Sequence, residues 1–396
     1  MIDKDRVWTG SINAEAGTDI DSVDKVGLYD STLRDGEQTV GVNLGPEQKL
    51  EIAIALDGLG VDRIEAGFPR VSDDDVKSYE LIMEAGLGAE IWGFSRAVPA
   101  DIEQLLELGV RGSVIESPVS DGKLEAYGMT RDSVLDRTIT AVRWAAENDV
   151  TVCYFAVDST RADLGFLAEI YKAAVEAGAE ELAVVDTLGI ASPETAEFLT
   201  TKVRSWVGDE VPIHWHGHND FGLATAGSIA AVRAGATWVQ GTVNGMGERA
   251  GNANLPEFAL ALEALYGVST NMRFEKLQEV SELVRRISGY QLEPYKPLTG
   301  YNLFVRESGA VAAQFHDPQA VEPYSSELVN AERGIVLGKK SGLASIDIKS
   351  QELGLSIPEE KRGEVLAAVK SFSVSKGGLV SDEEFITLTE SLVTQK

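Results

Sequence analysis

The chain is expected to fold as an α/β protein, a (β/α)8 TIM barrel with a smaller C-terminal appended domain, and three observations point there. Eight short apolar runs occur before residue 267, and helix-length amphipathic stretches separate them. Several of these stretches are preceded by Ser, Thr or Asp and closed by Gly, the residue types that cap helices. Polar residues that packing alone would not place recur just after the apolar runs, where the strand ends of a barrel converge on one mouth.

After a polar, acidic leader (1–25), residues 26–29 form the first apolar run and end in Asp30-Ser31-Thr32-Leu33-Arg34-Asp35-Gly36-Glu37-Gln38. In 46–59, Leu50, Ile52, Ala53, Leu56 and Leu59 fall close to helical spacing, and Gly60 closes the segment. The second strand is read over 61–69, ending Glu65-Ala66-Gly67-Phe68-Pro69. Strands follow at 91–94, 112–115, 150–157, 182–185, 213–215 and 238–243, with helices at 101–108, 131–148, 164–177, 193–207 and 224–234. A doubly wound open sheet is the alternative architecture, disfavoured because no Gly-x-Gly-x-x-Gly turn follows the first strand. The barrel is therefore assigned to 26–267. An amphipathic helix at 274–287 falls in a helical linker (268–299), and 300–396, with a helix at 358–372, forms the appended domain.

Composition narrows the function. With 35 basic and 63 acidic residues the net charge is −28, which argues against nucleic-acid or acidic-membrane partners, since phosphate binding needs clustered Lys and Arg. The single cysteine, Cys153, allows no intrachain disulfide and points to a reducing cytoplasm. The first 24 residues carry no apolar segment of the secretory kind, and no run of about 18 apolar residues occurs.

Three of the four histidines lie in His214-Trp215-His216-Gly217-His218. Alternate residues of an extended segment share a face, so these three point to one side and His216 with His218 can grip one metal ion. The bland reading is a set of structural histidines on a half-buried strand. What outweighs it is the company kept at the other strand ends: Arg34 and Asp35 after the first, Glu65 after the second, Asp186 and Thr187 after the sixth, Asn252 after the eighth. A carboxylate, two imidazoles and an amide oxygen make a mixed N/O site for Mg²⁺, Mn²⁺ or Zn²⁺, a Lewis acid able to polarise a carbonyl.

These stretches, together with His216-Gly217-His218-Asn219-Asp220 and Gly245-Met246-Gly247-Glu248-Arg249-Ala250-Gly251-Asn252, resemble the DRE-TIM metallolyase family, in its branch of 2-isopropylmalate, homocitrate and citramalate synthases. The resemblance implies an acyltransferase of carboxylic-acid metabolism and amino-acid biosynthesis. It would add the enolate of an acyl-CoA, usually acetyl-CoA, to a metal-chelated 2-oxo acid, giving a 2-hydroxy diacid and CoA. It further implies Asp35, His216, His218 and Asn252 as metal ligands, Arg34 and Glu65 as catalytic residues, and Arg34, Thr187 and Gln38 as substrate contacts in a cytoplasmic homodimer. Glu65 and Arg34 as a mere buried ion pair, and Thr187 as a helix cap, are the structural alternatives. His214 has no family role and reads as a packed strand histidine.

The chain departs from the family pattern in places. Val157 stands where the strand-five motif has Glu, Val311 falls where a His is expected after Glu307-Ser308-Gly309, Val321 replaces a Tyr, and Lys340 replaces a His. His316 and Tyr324 are nearby groups that could take over. A metal-dependent lyase or aldolase of the same superfamily is the alternative reaction, and a non-enzymatic metal-binding protein the alternative class.

Overall fold

A computed structural model describes residues 2–20 and 22–393; Met1 and Asp21 of the expected leader and 394–396 of the expected appended domain lie outside the described residues. The chain divides into two compact units, one of 1–2 and 11–292, the other of 3–10 and residues from Glu293 onward.

The first unit is a closed barrel of eight parallel strands in sequential order. The strands are β1 (Gly27–Asp30), β2 (Arg63–Glu65), β3 (Glu90–Arg96), β4 (Gly112–Pro118), β5 (Thr151–Val157), β6 (Glu181–Asp186), β7 (Ile213–Gly217) and β8 (Trp238–Gly241), with β8 pairing back onto β1. Because strand side chains alternate, each strand supplies two cores. Tyr29, Trp92, Phe94, Val114, Cys153, Phe155, Ala183 and Val185 fill the barrel. Ile115, Val152, Tyr154, Leu182, Val184 and Trp215 face outward onto helix residues such as Val142, Leu167, Ile170 and Leu199. Those helices run where the apolar spacing places them, at Pro46–Leu59, Arg131–Glu147, Leu164–Ala177, Pro193–Val207 and Ala224–Arg233.

The base of the barrel is closed by Arg63. Its guanidinium sits 4.1 Å from the Trp92 ring and 3.8 Å from the Trp238 ring. It donates twice to Glu181, at 2.7 and 3.0 Å, and once to Glu90 at 2.8 Å. Gly27 packs directly under Trp238, where a Cβ would overlap the ring.

The structure corrects several boundaries. β2 stops at Glu65 rather than running to 69, because Gly67 takes a φ of 139° and the chain turns away, its carbonyl accepting from the Tyr79 hydroxyl. Helices Asp73–Glu84, Asp121–Tyr127 and Leu255–Tyr266 complete the alternation. The helix expected at 274–287 forms as Leu277–Ser288 but is not a linker: Ser281 and Asn244 exchange hydrogen bonds and Arg286 meets Glu51 at 3.0 Å, so it belongs to the barrel unit. The leader is not one piece either. Val7 pairs with Tyr324, and Trp8 N donates to the Pro323 carbonyl at 2.8 Å, which ties 3–10 to the second unit.

In the second unit, β9 (Val305–Arg306) and β10 (Gly334–Ile335) pair in parallel beside helices Leu343–Glu352, Arg362–Lys376 and Asp382–Val393. The core is Ile335, Leu337, Ile346, Val365, Val369, Val380 and Phe385. The helix expected at 358–372 starts later because Glu359–Lys361 forms a 3-10 turn. Val311 lies in a single turn at Gly309–Ala312, His316 is exposed, and Tyr324 packs edge-on against Phe304. Among the described residues no helix is long and apolar enough to cross a membrane.

Candidate active site

The first half of the site is the turn after β1. Asp30 accepts from Thr32 N at 2.8 Å, and the Ser31 carbonyl accepts from Arg34 N at 3.1 Å and Gly36 N at 2.9 Å. This tight winding brings Arg34 and Asp35 together beside the strand ends. Arg34 Nε donates to Glu65 at 2.7 Å, and its Nη1 lies 3.4 Å from Asp35. The Ser31 hydroxyl donates to the same Glu65 oxygen, and the guanidinium lies 4.4 Å from the Phe94 ring centroid. Burial opposes charging of Arg34, but Glu65 and Asp35 outweigh it and raise its pKa, so the cation is permanent.

The second half comes from β7 and the loop after β8. His216 Nε2 lies 3.3 Å and His218 Nε2 3.7 Å from Asp35 Oδ2, and the two ring nitrogens are 3.4 Å apart. Burial raises the Asp35 carboxyl, but Arg34, His216 and His218 prevail and hold it well below the ordinary range. His218 Nδ1 faces the Gly251 carbonyl at 3.2 Å. A carbonyl only accepts, so Nδ1 carries the proton and Nε2 presents its lone pair. Burial lowers the His218 pKa to about 4, with Asp35 opposing and His216, Arg249 and Arg34 adding to the effect.

Asn252 bridges to the His218 backbone and donates from Nδ2 to the Met246 carbonyl at 3.0 Å. Its Oδ1, like Asp35 Oδ1, is buried with no hydrogen-bond partner among the described residues. Gly251, with a φ of 83°, packs against the Gly245 carbonyl, where a side chain would not fit. Arg249 pins this loop to its neighbours, reaching the Thr187 carbonyl at 2.6 Å and Asp220 at 2.8 Å.

Asp35, His216 and His218 offer one ligand atom each, all within 4.8 Å of one another. Converging lone pairs and orphaned buried oxygens are repulsive as a set and are satisfied by a divalent cation, so these residues fit one. Cys153, Glu181 and His214 also lie within 4.8 Å of one another deeper in the barrel, but there Arg63 already supplies the cation. His214 is the packed strand histidine expected, stacked on Trp238 at 5.4 Å and bonded to Glu181 at 2.8 Å.

Thr187 Oγ1 accepts from Asp158 N at 2.8 Å; the cap of the following helix is Ser192, so Thr187 is not a helix cap. Asp186 accepts from Ile190 N, Ala191 N and Thr160, a loop-shaping role. Gln38 is exposed in the turn just past Asp35.

Sequence reasoning missed Glu116. It projects from β4 into a cavity of about 280 Å³ also lined by Arg96, Pro118, Tyr127, Arg137 and Val157. Burial raises its pKa against the pull of Arg34, Arg96 and Lys123. No hydrogen bond or ion pair engages its carboxylate among the described residues. A Glu in an apolar-looking strand run has no motif to betray it.

A family model described as HMGL-like matches residues 25–284. The chain is 41% identical over 94% of its length to a putative (R)-citramalate synthase CimA of Archaeoglobus fulgidus, covering 76% of that protein. It is 43% identical over 88% of its length to a probable 2-isopropylmalate synthase of Methanopyrus kandleri, covering 70% of it. A homocitrate synthase AksA of the same organism is 42% identical, with 90% of each chain covered. Among solved structures, hydroxymethylglutaryl-CoA lyase from Pseudomonas aeruginosa superposes with a TM-score of 0.62 at 21% identity, covering 68% of this chain and 95% of that one, a likeness of fold.

Proposed function

The chain belongs to the HMGL-like family, and on that premise we propose that it is an acyltransferase condensing acetyl-CoA with a 2-oxo acid to give a 2-hydroxy diacid and CoA. Asp35, His216, His218 and Asn252 would hold the divalent metal. The convergence of Asp35, His216 and His218 beside a fixed Arg34 cation carries the proposal. Relatives named as synthases, each about as similar as the others, support it; a lyase reading rests on likeness of fold.

The metal would supply Lewis-acid polarisation of the keto group. Arg34, held by Glu65 and Ser31, stabilises the alkoxide that develops when the new carbon–carbon bond forms, as a preorganised cation should. The Thr187 hydroxyl oxygen is occupied by Asp158 N–H, so its own proton is free to donate to the 2-oxo acid carboxylate. Gln38 stands at the rim of the same turn. Glu116 is the carboxylate available to take the α-proton of the thioester: the C–H bond breaks, its electron pair forms the enolate, and that carbon attacks the ketone. Water then hydrolyses the thioester and CoA leaves as the thiol. A homodimer in the cytoplasm completes the proposal, supported by the family resemblance and by the single, buried Cys153.

The test is thiol release from acetyl-CoA with Mg²⁺ or Mn²⁺ against pyruvate, 2-oxoisovalerate, 2-oxoglutarate, oxaloacetate and glyoxylate. Buried Cys153 keeps the background low. Release that requires one 2-oxo acid and vanishes in His216→Ala is the expected result; silence across the panel from folded, metal-loaded protein overturns it.

A further inference from the structure

A continuous line of buried hydrogen bonds runs from the metal-ligand cluster to the base of the barrel, through residues that the proposed reaction does not use. His216 Nδ1 lies 3.2 Å from Gln240 Oε1. Gln240 Nε2 lies 3.3 Å from His214 Nδ1. His214 Nε2 meets Glu181 at 2.8 Å, and Glu181 takes two hydrogen bonds from Arg63. Gln240, His214 and His216 are all buried, at 0, 0 and 2% exposure, so bulk water does not reach these three.

Donor and acceptor roles along this line are forced. Glu181, paired bidentately with a guanidinium, can only accept, so His214 donates from Nε2 and offers a lone pair at Nδ1. An amide nitrogen only donates, and Gln240 turns its nitrogen to that lone pair. Its oxygen is thereby turned to His216, and an amide oxygen only accepts. The opposite amide orientation would set a donor against His216 Nδ1 and would need a second proton on His214.

We infer that Gln240 is a positioning residue: oriented by His214, Glu181 and Arg63, it holds the His216 proton on Nδ1, so that Nε2 is the nitrogen presented to Asp35 and to the metal. Metal-bound histidines commonly use an outer partner in this way, and removing one weakens metal binding by about 10–100-fold. Here the partner is itself aligned from the opposite end of the barrel. Register makes this possible, since His216 pairs with Gln240 and His214 with Trp238 across β7 and β8.

The inference rests on His216 being a metal ligand, and the experiment separates the two. Mn²⁺ binding to the full chain is measured by electron paramagnetic resonance in wild type, His216→Ala, Gln240→Leu and Gln240→Glu. Long-range ¹H–¹⁵N spectra of the Mg²⁺-loaded protein report the tautomers, and with four histidines in the chain the signals are few. Gln240→Leu should bind Mn²⁺ roughly 10–100-fold more weakly while remaining folded by circular dichroism. Gln240→Glu still accepts from His216 Nδ1, and with His214 taking a second proton to donate to its other oxygen, Mn²⁺ affinity should stay within about threefold of wild type, a rescue that a purely structural role would not produce. Wild-type His216 should carry its proton on Nδ1. Unchanged Mn²⁺ affinity in Gln240→Leu overturns the inference, as does a wild-type His216 protonated on Nε2, a readout that stands even if the leucine variant fails to fold. Full affinity in His216→Ala would overturn the ligand assignment instead.

Discussion

Arg34 Nε donates to Glu65 at 2.7 Å while its Nη1 lies 3.4 Å from Asp35, so one buried guanidinium joins a carboxylate that anchors it to the one proposed as a metal ligand. Glu65→Gln keeps the shape but removes the charge that orients Arg34. We expect kcat/KM to fall by about 10²-fold with Mn²⁺ affinity nearly unchanged, since a small misplacement of a catalytic group has that effect. Arg34→Lys, which loses the planar fork, should fall by about 10²–10³-fold. Steady-state kinetics beside a metal titration would show whether the two effects separate.

Metal should stabilise the fold as well as act in it. Opposed lone pairs on His218 and Asp35 favour any state in which a cation lies between them. At a metal concentration 100 times Kd, mass action contributes about 2.7 kcal/mol. Thermal melts should therefore rise with added Mn²⁺ and return on chelation, and the shift should disappear in Asp35→Asn and in His218→Ala. A melt in His218→Ala that still rises with metal would remove His218 from the ligand set.

Glu116 makes the pH profile informative. A base must be ionised, and burial pushes this carboxyl above its ordinary value of 4.5, so activity should rise with pH through that raised pKa. Glu116→Gln should lower kcat by about 10²–10⁴-fold and abolish the acidic limb. A variant with full turnover and an unaltered profile would transfer the role elsewhere.

Stability should also fall in acid, from the other end of the barrel. Burial would raise the Glu181 carboxyl, but His214 and Arg63 hold it down at about 2 against an ordinary 4.5. The folded state thus binds fewer protons than the unfolded chain between these values. The contribution, on the order of 3 kcal/mol, is complete above pH 4.5 and lost progressively towards pH 2. Burial likewise lowers His214, so its share begins to fade below its ordinary 6.5. Urea midpoints at several pH values should show this slope. In Glu181→Gln the slope should flatten while stability at pH 7 drops by about 3 kcal/mol, because Arg63 loses its buried carboxylate partner and keeps only the exposed Glu90.

Local chemistry was enough to read most of the fold and to pick out residues that the fold brings together in the candidate site. Alternating apolar runs, caps and glycines marked the eight strands, and the helix at Pro46–Leu59 fell where Leu50, Ile52 and Leu56 placed it. Asp35, His216, His218 and Arg34 announced themselves because two histidines at strand spacing and an Arg-Asp pair after a strand are conspicuous within a few residues of one another. Closing the barrel decided the rest. Which side chains share a layer depends on register between strands far apart in sequence, so nothing near Gln240 in the chain announces that it will stand between His214 and His216. Nothing near Arg63 announces that it will lie between Trp92 and Trp238. Glu116 is likewise an ordinary strand residue until the cavity beside Arg96 and Val157 exists around it. Residues 3–10 read as a leader because their partners, Pro323 and Tyr324, are more than three hundred positions away. Periodicity and short motifs are properties of neighbouring residues and survive in one dimension; burial, tautomer and charge pairing depend on what the folded chain brings alongside.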